Sequence, residues 1–302
     1  MAIDDDLPLE DLPLEDLPLH DPPPDEPLVL RMIRAPEPWI QMAGMMQVPY
    51  EMSAYLASIP LLSTLPRGDG HPVLVMPGFM GGDMSTLPLR YHLYLWGYDV
   101  RGFGEAPNPG PTRSVLDRMS HRLESINDHT GEKVSLVGWS AGALYARHMA
   151  RRHPERVRQV ITLAGGLQHR IRQDGSSISF ITRFIQRTFD PDFGVQPDFA
   201  AGSLPVPSTS IYSRLDGVVR WESCLDVVDD THENIEVYAS HVGVGVNPSV
   251  LFVVADRLAQ PEQGWRPFFP PPWMRWLYPT APSWDTARRT RTRRSATATS
   301  VR

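Results

Sequence analysis

The chain has 302 residues, 41% of them hydrophobic and 9% aromatic, which suits one large core. Its formal net charge of −6 is uneven: residues 1–27 carry ten acidic and no basic side chains, residues 288–302 carry six arginines and no acid, and the middle is left at about −2. A near-neutral middle gives no ground for nucleic-acid binding, and a lone cysteine, Cys224, excludes an internal disulfide and points to a reducing compartment.

The chain opens on a degenerate repeat, DLPLE at 6–10 and 11–15, DLPLH at 16–20 and DPPPD at 21–25. Proline blocks helix and ladder formation and the like charges repel, so residues 1–34 are expected to be a disordered acidic arm. The start, MAIDDDLPLE, has neither the basic nor the apolar region of a secretory signal, and no run approaches the roughly 20 apolar residues of a membrane span. The expectation is a soluble, cytoplasmic protein. Residues 35–65 are rich in methionine. Trp39, Met42 and Met46, then Met52, Leu56 and Ile59 beyond Pro49, recur every three or four residues, which predicts two short amphipathic helices broken near the proline. Packing of their apolar face against the main domain is the expectation; peripheral contact with a lipid surface is the other use of such a face.

From His71 strand and helix patterns alternate, the mark of a parallel sheet covered on both faces. The predicted strands are VLVM (73–76), YDVRG (98–102), VSLVG (134–138), VRQVITLAG (157–165), TSIYS (209–213) and IEVYAS (235–240). Helices are expected at 85–96, at 114–129 with Val115, Met119, Leu123 and Ile126 on one face, at 141–153, and at 249–258 behind Pro248. Between the fourth and fifth strands, residues 166–207 form a long insertion. Within it ISFITRFIQRTF places Ile181, Phe184, Ile185 and Phe189 near one helical face, and either a lid with Phe184 and Ile185 against substrate or plain closure of the core follows. Residues 66–265 are thus the expected catalytic domain, followed by a Pro/Trp segment and a basic, disordered tail over 266–302.

The third strand runs straight into Gly138-Trp139-Ser140-Ala141-Gly142 and then a helix. This G-x-S-x-G elbow, in strand-turn-helix context, exposes a serine hydroxyl, and its glycines stand where side chains would collide with sheet or helix. Ala143, Ala146 and Ala150 keep one face of the helix small. A serine needs a base and a group to orient that base. Asp216 follows TSIYS in SRLDGVV, and His241 follows IEVYAS in SHVGVG, so Ser140, Asp216 and His241 stand in acid-then-histidine order. Asp226, Asp229 and Asp230 are the competing acids. Beyond the repeat, the other histidines lie on or beside predicted helices (His92, His121, His129, His148, His153) or in predicted loops (His71, His169, His232). Donors for an oxyanion are expected at Ala141 N–H and in the loop Pro77-Gly78-Phe79-Met80-Gly81-Gly82-Asp83, at Phe79 with Met80 as the alternative. That loop carries neither a G-x-G-x-x-G pattern nor a P-loop lysine.

PGFMGGD, GWSAG, SRLDGVV and SHVGVGVNPSV, in this order, resemble the α/β-hydrolase superfamily, and within it bacterial lipase- and esterase-like serine hydrolases, over roughly residues 68–265. The resemblance implies a minimal α/β-hydrolase fold: a mostly parallel sheet of about six strands flanked by helices, with a helical cap and without the two leading antiparallel strands of larger members. It also implies a Ser140-Asp216-His241 triad that cleaves a carboxylic ester through an acyl-enzyme, with an acyltransferase or a non-catalytic binding scaffold as alternatives. Neither metal nor organic cofactor is implied, and no obligate protein partner. The expected partner is a small-molecule or lipid-like ester.

Overall fold

Short, apolar, β-branched runs such as PVLVM and VRQVITL bury every or nearly every residue, which a strand achieves only inside a sheet covered on both faces. The computed structural model describes residues 38–104, 107–110, 112–165 and 202–279. It contains six strands: β1 (Pro72–Met76), β2 (Asp99–Arg101), β3 (Val134–Trp139), β4 (Val157–Leu163), β5 (Ser208–Tyr212) and β6 (His232–Glu236). All pair in parallel in the order β2-β1-β3-β4-β5-β6. The helices are α1 (Pro38–Leu62), α2 (Leu87–Leu95), α3 (Arg113–Thr130), α4 (Ala141–Arg152) and α5 (Pro248–Leu258). No strand among the described residues runs antiparallel to the sheet, and no helix among them is long and apolar enough to cross a membrane.

Two apolar clusters lie against the sheet. One joins α3 and α4 to β1, β3 and β4 through Leu74, Val115, Met119, Leu123, Leu136, Tyr145 and Ala146; the other joins α1, α2 and α5 to the sheet through Tyr55, Leu62, Leu93, Trp96, Ile161, Ile211 and Val254. On α3 the expected stripe of Val115, Met119, Leu123 and Ile126 is buried, and each such side chain contributes about 1.5–3 kcal/mol. Thr112 caps this helix by accepting from Val115 N–H, and Gly131, at φ 71°, ends it in the left-handed conformation. Pro248 stands in the first turn of α5, where Asn247 accepts from Ser249 N–H.

Two expectations are corrected here. First, α1 is one continuous helix with Pro49 and Pro60 inside it, and the face it buries is not the expected Met52-Leu56-Ile59 stripe. Met52, Leu56 and Ile59 are 38%, 59% and 37% exposed, while Glu51, Tyr55 and Leu62 are buried. Pro49 removes one backbone donor without ending the helix, and the buried face sets Tyr55 and Leu62 in the core and the Glu51 carboxylate against Ser240 and Asn247. The side chains of Trp39, Met42 and Met46 lie outside the described residues. Second, the last strand is His232–Glu236, three residues earlier than IEVYAS suggests. Its partner β5 ends at Tyr212, so Ala239 N–H donates instead to Ser213 Oγ (3.2 Å). The polar start of β6 is buried because its groups are paired: Glu233 with Arg257 Nη1 (2.7 Å), Thr209 Oγ1 and Phe268 N–H, and His232 with Asp229 (2.6 Å).

His92 on α2 is buried among the rings of Tyr55, Tyr91 and Trp96, with centroids 5.4, 6.0 and 5.5 Å away. Neither ring nitrogen has a hydrogen-bond partner among the described residues, and burial lowers its pKa below the ordinary 6.5. In the unfolded chain the same imidazole protonates near 6.5, so the unfolded state binds more protons below that value and stability falls as pH drops. His71 and His148 are lowered by burial as well. The melting temperature is therefore expected to fall between pH 7.5 and 5.5, and His92→Phe to flatten that fall; an equal slope in wild type and variant would refute the assignment.

Candidate active site

Ser140 stands at the end of β3 with φ 52° and ψ −116°, a conformation strained for any residue but glycine. Its neighbours permit it. A Cβ on Gly138 would lie 2.4 Å from Gly142 O, and one on Gly142 would lie 2.3 Å from Met76 O. These approaches let α4 start against the tip of β1, which small buried Ala143, Ala146 and Ala150 allow along the rest of its length. The serine hydroxyl is thus raised above the C-terminal ends of the strands, where open parallel sheets hold their ligands.

The loops after β5 and β6 bring two further residues to it. His241 Nε2 lies 3.0 Å from Ser140 Oγ, and His241 Nδ1 lies 2.7 Å from Asp216 Oδ2. Asp216 is buried; its Oδ1 accepts from Val218 N–H and Val219 N–H, both at 2.8 Å, which fixes the carboxylate and leaves Oδ2 for the imidazole. Trp139 turns its indole N–H to His241 O at 3.1 Å, so the residue before the serine also holds the histidine loop. Ser213 Oγ accepts from Leu215 N–H and Ala239 N–H and thereby ties the two loops together.

The competing acids are placed elsewhere. Asp226 forms a buried pair with Arg147 on α4 and accepts from Ser208 Oγ, and Asp229 is bound to His232 and Thr231. Burial raises the carboxyl pKa of Asp229, but hydrogen bonds from His232, Thr231 and Ser203 outweigh it and lower it to about 2. His232, expected in a loop, begins β6.

The glycine-rich loop after β1 closes the other side. A Cβ on Gly78 would stand 3.3 Å from Ser140 Cβ, so this loop meets the serine at van der Waals distance. Met80, at φ 58°, donates its N–H to Asn108 O (2.8 Å), and that donor is spent. Phe79 N–H has no acceptor among the described residues, and Ala141 N–H, opening α4, has no intrahelical one. Sequence reasoning missed Asn108. Fully buried, it donates Nδ2–H to Pro77 O (2.9 Å) and Gly78 O (3.1 Å) and accepts at Oδ1 from Tyr145 O–H (2.5 Å) and Gly110 N–H. It locks the loop that carries Phe79. A lone asparagine between prolines in PNPG signals a turn, and nothing local says that it reaches back thirty residues. Phe184 and Ile185 lie outside the described residues. No group of three or more metal-ligating side chains occurs among the described residues.

A parallel sheet carrying a serine on a strand-to-helix elbow, with a histidine and an aspartate brought beside it by the loops after later strands, is the arrangement of the α/β-hydrolase class. The family model described as alpha/beta hydrolase fold matches residues 72–227, half of the chain, and the protein belongs to that family. His241 and α1 fall outside the matched stretch. Pimeloyl-[acyl-carrier protein] methyl ester esterase of Aeromonas hydrophila subsp. hydrophila is 35% identical over 83 residues, 28% of this chain and 31% of that protein. The same-named protein of Klebsiella pneumoniae is 31% identical over 104 residues, 33% of this chain and 38% of that protein. The chain therefore matches about a third of the length of these curated relatives. Among solved structures, esterase B from Lactobacillus rhamnosis is similar with a TM-score of 0.49 and 15% identity, over 64% of this chain and 77% of that one. Lipase B of Aspergillus fumigatus has a TM-score of 0.48 and 17% identity, over 65% and 55% of the two chains.

Proposed function

We propose that the protein is a carboxylic-ester hydrolase of the esterase or lipase type, acting through an acyl-enzyme on Ser140. The observation that carries the reading is the continuous path from Ser140 Oγ through His241 to the buried Asp216, beside two uncommitted backbone donors. His241 takes the proton from Ser140 as the hydroxyl attacks the ester carbonyl, and Asp216 holds the ring and stabilises its charged form. The negative charge that forms on the carbonyl oxygen is received by Phe79 N–H and Ala141 N–H, with the positive end of α4 behind the second. Collapse of the tetrahedral intermediate returns the proton to the leaving alcohol. Water, deprotonated by the same imidazole, then attacks the acyl-serine and releases the acid. No step asks for a metal or an organic cofactor.

The name shared by the two curated relatives supports an ester as the scissile group. The single, buried Cys224 fits a reducing, cytoplasmic setting. The test is a series of p-nitrophenyl esters from acetate to palmitate, run beside labelling with a fluorophosphonate probe. Saturable hydrolysis without any added acceptor, and a label that maps to Ser140, are expected. Turnover that needs an alcohol, amine or thiol acceptor identifies an acyltransferase, and failure of the probe to label Ser140 refutes the reading.

A further inference from the structure

We infer that Glu51, on α1 and outside the stretch matched by the family model, is a positioning residue for His241. This rests on the hydrolase reading above. Glu51 is 5% exposed, yet among the described residues no lysine or arginine is bonded to it, and its bonded partners there belong to the segment around His241. Ser240 N–H donates to Glu51 Oε1 at 2.9 Å and Ser240 Oγ–H donates to Oε2 at 2.5 Å. Asn247, the cap of α5, adds a longer bond from Nδ2 to Oε1 at 3.4 Å. Ser240 Oγ in turn accepts from Gly243 N–H at 3.0 Å, and a Cβ on Gly243 would run into the Glu51 carboxylate. Ser240, immediately before His241, and Asn247, six residues after it, are thus bound to one carboxylate that stands 189 and 196 positions earlier in the chain.

A buried carboxylate without its donors costs several kcal/mol, so the pairing is held tightly once α1 is docked. The geometry fixes the backbone at Ser240, one peptide before the imidazole that must sit within hydrogen-bond reach of both Ser140 and Asp216. Asp216 orients the ring and Trp139 holds the carbonyl of His241, but among the bonds above only Glu51 takes the N–H of the preceding residue. Misplacement of such a group by about 1 Å costs on the order of a hundredfold in rate. α1 therefore contributes to catalysis through His241 as well as to the core through Tyr55 and Leu62.

The test compares Glu51→Ala, Glu51→Gln and Leu62→Ala in the full chain. Glu51→Ala is expected to lower kcat about 30- to 100-fold with KM within twofold, and to slow fluorophosphonate labelling of Ser140 by a similar factor. Glu51→Gln, which keeps an acceptor for Ser240 N–H, is expected to recover to within about fivefold of wild type. Leu62→Ala loosens the same helix without touching the loop, and should lower the melting temperature with kcat within twofold. An unchanged kcat in Glu51→Ala, or an equal loss in Leu62→Ala, overturns the inference. Should Glu51→Ala fail to fold, Ser240→Ala carries the test, with a roughly tenfold loss of kcat expected and an unchanged value overturning it. Hydrogen exchange separates this inference from the hydrolase reading. If wild type neither turns over esters nor takes the label, that reading falls, whereas faster exchange of the Ser240 and Gly243 amides in Glu51→Ala than in wild type still reports the brace, and unchanged exchange overturns it.

Discussion

Replacing Ser140 by alanine is expected to lower ester turnover by about 10⁴-fold or more, with His241→Ala as damaging and the double variant little worse than either. The non-additivity follows from the geometry. The hydroxyl and the imidazole share one proton across 3.0 Å, so removal of either leaves the other with nothing to do. Residual activity should remain above the water rate, because Phe79 N–H and Ala141 N–H still receive the developing charge. Ser140→Ala keeps the same φ of 52° and removes no buried bond in the core, so its melting temperature should stay close to that of wild type. Turnover within tenfold of wild type in either single variant would sink the mechanism, and a parallel melting curve shows that the loss is chemical.

The second large effect is on stability. Asp226→Ala removes the carboxylate that pairs with Arg147 Nη1 at 2.5 Å and Nη2 at 3.1 Å, and that accepts from Ser208 Oγ at 2.9 Å. Both partners are buried, 1% and 2% exposed at their side chains, so the variant takes from a buried guanidinium the carboxylate bonded to it and leaves its bond to Gly202 O (2.6 Å) in place. Such a break costs about 3–5 kcal/mol, which for a domain of this size is roughly 10 °C of melting temperature. Replacing the pair together, Arg147→Met with Asp226→Leu, is expected to recover most of that loss, because the penalty comes from breaking one side of a buried ion pair. Calorimetry checks both; a fall of less than about 2 °C in Asp226→Ala would show that the pair carries no net weight.

The candidate site was legible in part because its chemistry depends on local conformations that leave marks in the chain. The elbow requires glycine at 138 and 142, where a Cβ would meet backbone 2.3–2.4 Å away, and such positions show in any sequence. Asp216 and His241 are picked out as candidates by their place after a strand, although the apolar pattern puts the strand before His241 three residues too late. That slip has a physical cause. An apolar pattern reports what is greasy, while β6 begins on His232, Glu233 and Asn234, polar residues whose burial depends on partners that such a pattern does not mark: Asp229 for His232, Asp226 for Asn234, and Arg257 and Thr209, each 24 positions away, for Glu233.

The same limit explains α1. Periodicity assigned its apolar stripe to the core, and in the fold Met52, Leu56 and Ile59 face outward while a glutamate faces in. Residue types and spacing by themselves determined the alternation of strands and helices, the elbow at Ser140 and the order of the three candidate catalytic groups, because each rests on backbone sterics or on contacts within a few residues. Only the tertiary structure decided which way α1 turns, that Asn108 latches the loop carrying Phe79, that Met80 N–H is already spent, and that Asp226 belongs to Arg147. Those outcomes rest on hydrogen bonds between segments 28 to 196 residues apart, and a buried polar group takes its place from the partner that satisfies it, wherever in the chain that partner lies.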